Sequence, residues 1–351
     1  MYAYFVFCNS GKICKGGRSG KIFMKIQLAH GFKDIISPEN LLEAWLEFLC
    51  GKRAKRDVQE FSLRLMDNIF SLHNNLMSRG YQHGGYSAFN IFDPKPRNIH
   101  KATVRDRLLH HAIYRVLYPF FDKVFISDSF SCRLNKGTHK AINRFRDFAF
   151  KAGQNNTKTC WVLKGDVRKF FASIDHEVLM KILESYISDT DILWLLGQVI
   201  NSFSSTGPNI GLPLGNLTSQ LFVNIYMNEF DWFIKHKLKA KHYVRYADDF
   251  VILSQNRELL LSLIPRIRDF LQDKMRLELH PDKVSIKTLA SGIDFLGWVN
   301  FPDHRVLRTA TKRRMMRKLQ ENNVMEVLNS YLGLLKHGNA HKLRNKILIK
   351  L

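Results

Sequence analysis

Two neighbouring carboxylates, Asp248 and Asp249, lie between two short strand-forming runs, residues 241–246 and 250–254. The first run alternates polar and apolar residues and the second is apolar. That pattern predicts a β-hairpin with the aspartates at its tip. Adjacent carboxylates repel each other and resist desolvation. A divalent cation makes such a pair tolerable; a solvated turn is the plain alternative. A third carboxylate, Asp166, follows another short apolar strand at residues 160–163. If the two strands are neighbours in a sheet, three carboxylates meet at one edge. Such a cluster can hold two Mg²⁺ ions roughly 4 Å apart, which would activate a hydroxyl and stabilise in-line displacement at phosphorus. Mg²⁺ suits the donors because it takes hard oxygen ligands, with Mn²⁺ an alternative.

The elements that must position these groups are mixed helices and strands. Ser37-Pro38-Glu39 is a helix start, and the apolar spacing from Leu41 to Leu49 continues it. A second long helix is expected over residues 58–77 and strands over 81–100. Helices are expected over 104–120, 178–187, 190–203, 216–239 and 257–275. After the last of these comes a strand near 277–286, and from about 309 a basic helical tail. Gly11, Gly16, Gly17 and Gly20 make residues 1–33 read as a flexible basic leader. His110-His111 reads as a helix-packing pair rather than a metal site.

The chain has 351 residues and 54 Lys plus Arg against 31 Asp plus Glu, a net charge of +23. This length allows roughly two domains. The charge favours a polyanionic partner. No apolar run approaches the roughly 20 residues that would cross a bilayer, so a membrane is not expected. Five scattered cysteines without zinc spacing read as free thiols of a reducing cytoplasm. Residues 305–351 hold twelve Lys and Arg against two acids. There Arg313, Arg314, Arg317 and Lys318 interleave with apolar Met315, Met316 and Leu319.

The motifs resemble those of reverse transcriptases. Tyr246-Ala247-Asp248-Asp249 is similar to the Tyr-x-Asp-Asp box, and Asp166-Val167-Arg168-Lys169-Phe170-Phe171 to the segment carrying the first metal-binding aspartate. The resemblance makes Asp166 and Asp248 the principal ligands, with Asp249 and the Val167 segment supporting them. It makes Phe171 a steric gate against a ribose 2′-OH, although an aromatic there could instead pack in the core. Lys95-Pro96-Arg97-Asn98-Ile99 resembles the segment that grips triphosphate; the alternative is a solvated turn. Pro281-Asp282-Lys283 resembles the segment whose lysine lies near the leaving pyrophosphate, a part Lys287 could also fill. Phe295-Leu296-Gly297-Trp298 resembles the primer grip. The basic tail resembles the thumb that holds template and primer.

One branch is resembled more closely. Leu214-Gly215-Asn216-Leu217-Thr218-Ser219-Gln220 stands where most reverse transcriptases have Gln-Gly-x-x-x-Ser-Pro. This pattern, Arg105-Asp106-Arg107 with His110-His111, and residues 330–337 are similar to the enzymes of diversity-generating retroelements. The resemblance implies cDNA synthesis from template RNA and dNTPs with errors at adenines, and a small basic accessory protein. It also implies a cytoplasmic protein of bacterial, archaeal or phage origin. The expected fold is α+β, a right-hand polymerase whose palm carries an antiparallel ferredoxin-like sheet. Its parts are a leader (1–33), N-terminal helices and fingers (34–160), palm (161–300) and thumb (301–351).

Overall fold

A computed structural model describes residues 26–92, 95–321 and 325–348. The first helices, α1 (Phe32–Ile36) and α2 (Pro38–Phe48), meet at Ser37. Ser37 caps α2 by accepting a hydrogen bond from the Asn40 amide at 3.2 Å, and Pro38 occupies the first helical position. Instead of one helix over 58–77 there are two, α3 (Arg56–Ser62) and α4 (Leu65–Met77). The Asn68 side chain takes the Phe61 carbonyl at 2.9 Å, which closes α3 before the chain restarts. Strands β1 (Tyr86–Ile91) and β2 (Arg97–Ala102) form a separate exposed hairpin. The long α5 (Val104–Val124) and the amphipathic α6 (Thr138–Ala152) follow.

Next come β3 (Trp161–Gly165), α7 (His176–Glu184), α8 (Thr190–Ile200) and α9 (Leu217–Trp232). Then follow β4 (His242–Tyr246), β5 (Asp249–Ser254), α10 (Arg257–Met275) and β6 (Ser285–Thr288). The last sheet strand is shorter than the expected 277–286. Residues 278–283 run beside the turn that follows β3, and regular pairing starts only at Ser285. The four strands form one antiparallel sheet in the order β4-β5-β3-β6. With helices between β3 and β4 and between β5 and β6, this is the split β-α-β arrangement called ferredoxin-like.

Both faces of the sheet are covered. Leu163, Tyr243, Phe250 and Ile252 enter one core with the helices α5, α7, α9 and α10. Their neighbours Val162, Val244, Val251 and Leu253 enter a second core with α6 and the C-terminal elements. Period-two alternation thus feeds two cores from one set of strands. The C-terminal elements are a small sheet of β7 (Ile293–Phe295), β8 (Trp298–Asn300) and β9 (Arg305–Leu307), then α11 (Thr309–Glu321), α12 (Met325–Leu335) and α13 (His341–Leu348).

The expected leader is corrected at its end. Leu28 and Phe32 are buried, and the Leu28 amide donates to the Tyr186 carbonyl at 2.8 Å. Apolar side chains at helical spacing anchor this stretch, whereas the glycine-rich residues before it lie outside the described residues. So do Asp93 and Pro94, just before the expected triphosphate segment. Cys50, Cys132 and Cys160 are free thiols; Cys8 and Cys14 lie outside the described residues. Among the described residues no helix is long and apolar enough to cross a membrane.

Candidate active site

The hairpin of β4 and β5 turns through Ala247 and Asp248, with Tyr246 paired to Asp249. Ala247 has φ +55°, the left-handed backbone that such two-residue turns require at their first central position. Alanine does not favour it, so the turn needs an external hold. Arg245 supplies one: its Nη1 donates to the Ala247 carbonyl at 3.0 Å. Arg245 is fully buried and forms a two-pronged pair with buried Asp231, both contacts at 2.7 Å. Tyr243 donates to the same carboxylate at 2.7 Å, and Ser129 accepts from Arg245 at 3.0 Å. A buried charge pair needs such full hydrogen bonding to offset desolvation. The motif signal lay in the aspartates; the residues that hold their turn, Arg245 and Asp231, gave no such signal.

The register of β3 against β5 pairs Gly165 with Phe250, so Asp166 follows beside Asp249. Gly165 is needed there because an added Cβ would lie 2.3 Å from the Phe250 ring. Asp166 is buried, and Asp248 and Asp249 are half-buried. Burial first, and then the charges of Asp166 and Asp249, push the Asp248 carboxyl up to about 6. Burial also raises Asp249, against the opposing charge of Lys164. Lys164 lies 3.8 Å from Asp249 and donates to the Asp294 carbonyl at 2.8 Å.

Lys283 pairs with Asp166 at 2.8 Å, and that hydrogen bond raises the lysine above its ordinary value. Its placement comes from a short zipper. The His280 amide donates to the Asp166 carbonyl and the Arg168 amide to the Glu278 carbonyl, and buried Val167 bridges to Leu279. Of the two lysines the sequence left open, Lys283 therefore reaches the carboxylates. Lys287 lies in β6, paired with Val162 of β3.

Among the described residues, no three His, Cys, Asp or Glu side chains already converge as a metal shell. The donor chemistry nevertheless fits a hard divalent ion. Three carboxylates crowd at one edge, two of them with raised proton affinity, and the ammonium of Lys283 holds one of them.

Around this edge, loop 207–215 makes two seams. Its Leu212 amide donates to the Phe171 carbonyl at 2.8 Å, and its Gly211 amide donates to the Ile174 carbonyl at 2.7 Å. Phe170 is buried and Phe171 half-buried, the rings edge to face at 5.6 Å. The second seam joins β2: the His100 amide donates to the Leu214 carbonyl at 3.0 Å, and the Asn216 side chain donates to the His100 carbonyl at 2.9 Å. Gly215 has φ +105°, and an added Cβ would come 2.7 Å from Ile99. Leu214 and Gln220 are half-buried, and Gln220 offers its carbonyl to Asn224. Lys95 and Arg97, at the turn and first residue of β2, are exposed.

Tyr246 is half-buried and accepts a hydrogen bond from Thr138 at 3.2 Å. In Phe295-Leu296-Gly297-Trp298, the outer aromatics are core residues. The central Leu296 and Gly297 both have positive φ, as a tight hairpin turn requires. On α11, Arg313 and Arg317 are exposed and Arg314 and Lys318 half-buried, while Met315 is buried.

The reverse transcriptase (RNA-dependent DNA polymerase) family matches residues 93–299, more than half of the chain. The chain belongs to the reverse transcriptase family. The reverse transcriptase is 26% identical to Protein YkfC of Escherichia coli over 72% of its own length and 75% of that protein. It is 24% identical to the group II intron-encoded protein LtrA of Lactococcus lactis over 67% of its own length. It spans about half of LtrA, 49%. Among solved structures, telomerase from Candida albicans shares the fold, with a TM-score of 0.50 at 14% identity, over 73% of this chain and 53% of that one.

Proposed function

We propose that this reverse transcriptase copies template RNA into cDNA at the sheet edge of Asp166, Asp248 and Asp249, as the error-prone enzyme of a diversity-generating retroelement. In this reading residues 34–160 are the N-terminal helices and fingers, 161–300 the palm and 301–351 the thumb of a right-hand polymerase. The observation that supports the site is the strand register that brings Asp166 beside Asp249 at the hairpin. Asp166, the Val167 backbone, Asp248 and Asp249 offer oxygen donors. Bound Mg²⁺ or Mn²⁺ would supply Lewis acidity and neutralise phosphate charge.

The primer 3′-hydroxyl attacks the α-phosphorus of a dNTP, and the bond to pyrophosphate breaks. The chain's own residues prepare that displacement. Lys95 and Arg97 hold the triphosphate, and their exposure leaves the charges available to it. Lys283, once released from Asp166, stabilises charge on the departing pyrophosphate. Phe171 excludes a ribose 2′-OH. Tyr246 and the Leu296–Gly297 turn orient the primer, and Arg313, Arg314, Arg317 and Lys318 grip the duplex.

The branch rests on Leu214 and Gln220. A glutamine at 214 could hydrogen-bond near the incoming nucleotide, and leucine cannot. One such bond is worth about 1 kcal/mol, or several-fold in discrimination. The backbone of Leu214 is already tied to β2, which leaves the side chain as the variable feature. A second reading, an intron- or retron-type reverse transcriptase without adenine-directed errors, is favoured by the likeness to LtrA.

Primer extension on an RNA template with Mg²⁺ tests the site, with wild type active and Asp248→Ala inactive. Extension by neither would instead indicate a silent RNA-binding scaffold. Sequencing of the cDNA tests the branch: Leu214→Gln should lower errors opposite adenine several-fold. An unchanged error spectrum leaves the intron- or retron-type reading.

A further inference from the structure

Arg305 opens β9 and pairs with Asn300 of β8. It is only 9% exposed. Its Nε donates to the His337 carbonyl at 2.5 Å and its Nη2 to the Asn143 side chain at 2.6 Å. Its Nη1 is buried and meets no acceptor. Among the described residues no carboxylate pairs with this guanidinium, so a buried cation is held by neutral oxygens alone. Such a group is costly unless an anion completes it. Burial, and then the nearby Arg146, hold its pKa below the ordinary arginine value, while Asp147 opposes them.

Arg305 lines a cavity of about 410 Å³ between α6, the β8–β9 turn and the loop after α12. Its permanent cations are Arg146, Arg305 and Lys336, against the single carboxylate Asp303. Asp303 is itself paired with His304 at 2.8 Å. The cavity wall is fixed: an added Cβ on Gly338 would lie 2.1 Å from the Trp298 ring. A second cavity of about 460 Å³ shares Arg146 and Asp303 and adds Lys151 and a second carboxylate, Asp147, so that over both cavities Arg146, Lys151, Arg305 and Lys336 face Asp147 and Asp303. The two form a cationic groove along α6. Asn156, just before β3, donates to the Pro302 carbonyl at 3.0 Å. The groove therefore lies by the start of β3, whereas Asp166 follows its other end.

We propose that this groove is a second, non-catalytic anion site, in which the exposed Arg146 and Lys336 hold a phosphate group and the buried charge of Arg305 behind them adds to the attraction. An open groove with cations spaced along a helix suits the phosphodiester backbone of RNA better than an isolated small anion. Arg146 and Lys336 would bear on the same strand.

Replacing Arg305 could unfold the C-terminal elements it ties together, so the test uses the exposed rim. Arg146→Gln with Lys336→Gln should leave the melting temperature within about 2 °C, since surface changes rarely move stability much. With the template cleft saturated by an unlabelled RNA–DNA hybrid, a labelled 30-nucleotide RNA hairpin should bind the wild type. The double variant should bind it about tenfold more weakly, with a salt slope lower by about 2. In parallel, inorganic phosphate is titrated against thermal stability. Stabilisation of the wild type, lost in the variant, with unchanged RNA binding, would keep the anion site and assign it to free phosphate. If the variant changes neither response, the proposal is wrong. Both readouts are binding, so a failure of primer extension would leave them unaffected.

Discussion

At the sheet edge, acidic side chains are crowded and at least half-buried; on α11 and the β1–β2 hairpin, basic side chains are spread and exposed or half-buried. The acidic group is held by elements distant in the chain. Arg245 and Asp231 fix the turn, Gly165 admits Phe250, and residues 278–283 carry Lys283 to Asp166. The basic group needs little more than a helix with one packed face, marked by buried Thr311 and Met315. Chemistry at phosphorus needs groups fixed to a fraction of an ångström. A grip on a uniform phosphate backbone needs charge, and tolerates mobile side chains.

That contrast can be broken first at Asp248. Asp248→Asn should lower primer extension by at least about 10³-fold, or roughly 4 kcal/mol. The same change should stabilise the metal-free protein at pH 7 by about 1–2 kcal/mol, because it removes a buried charge. The sign follows from a folded carboxyl near 6, above its unfolded value of 3.8. The penalty is fully present above about pH 6 and is relieved as pH falls towards 4. Urea denaturation in EDTA at pH 5 and pH 7 measures it; a variant less stable than wild type at pH 7 would show that the carboxylate is not under strain.

Next in size is the turn's support. Arg245→Met leaves Asp231 buried and unpaired and should cost about 3–5 kcal/mol. Pairing it with Asp231→Leu should recover most of that stability in denaturant melts, yet leave extension impaired because the Ala247 carbonyl has lost its donor. Full recovery of extension would mean that the turn holds itself.

The smallest effects belong to the exposed cations. Arg313→Ala or Arg317→Ala should weaken binding of an RNA–DNA duplex several-fold and lower the salt slope by about 1 each. Stability should stay within about 0.5 kcal/mol. A large loss of stability would move α11 into the class of the sheet edge.

The family was legible before the fold. Tyr246 to Asp249 and Asp166 resemble the motifs of reverse transcriptases, and the family match agrees. The α+β class followed from strand-like and helix-like periods in succession. What was not legible was whatever depends on partners far apart in the chain. Residues 58–77 have an unbroken apolar period, yet the backbone leaves the helix at Arg64, and the Asn68 side chain donates to the Phe61 carbonyl across the break. Residues 277–284 have strand composition, but 278–280 zip against residues 166–168 and Pro281–Lys283 form a short helical turn, so they do not extend β6. Phe295 and Trp298 belong to the segment that resembles a primer grip, and their short spacing did not tell that both rings are core, with the turn between them less buried.

By itself, then, the sequence determined residue types and short spacings: paired aspartates in a turn, a third carboxylate after a strand, a glycine-marked loop and a basic tail; the resemblance of its motifs tied these to the reverse transcriptase family, which the family match bears out. Only the tertiary structure decided that Asp166 stands beside Asp249, that Lys283 rather than Lys287 reaches it, and that Arg245 holds the turn. Those are matters of strand register and buried pairing, where the two partners lie up to 117 residues apart and nothing in either local segment names the other.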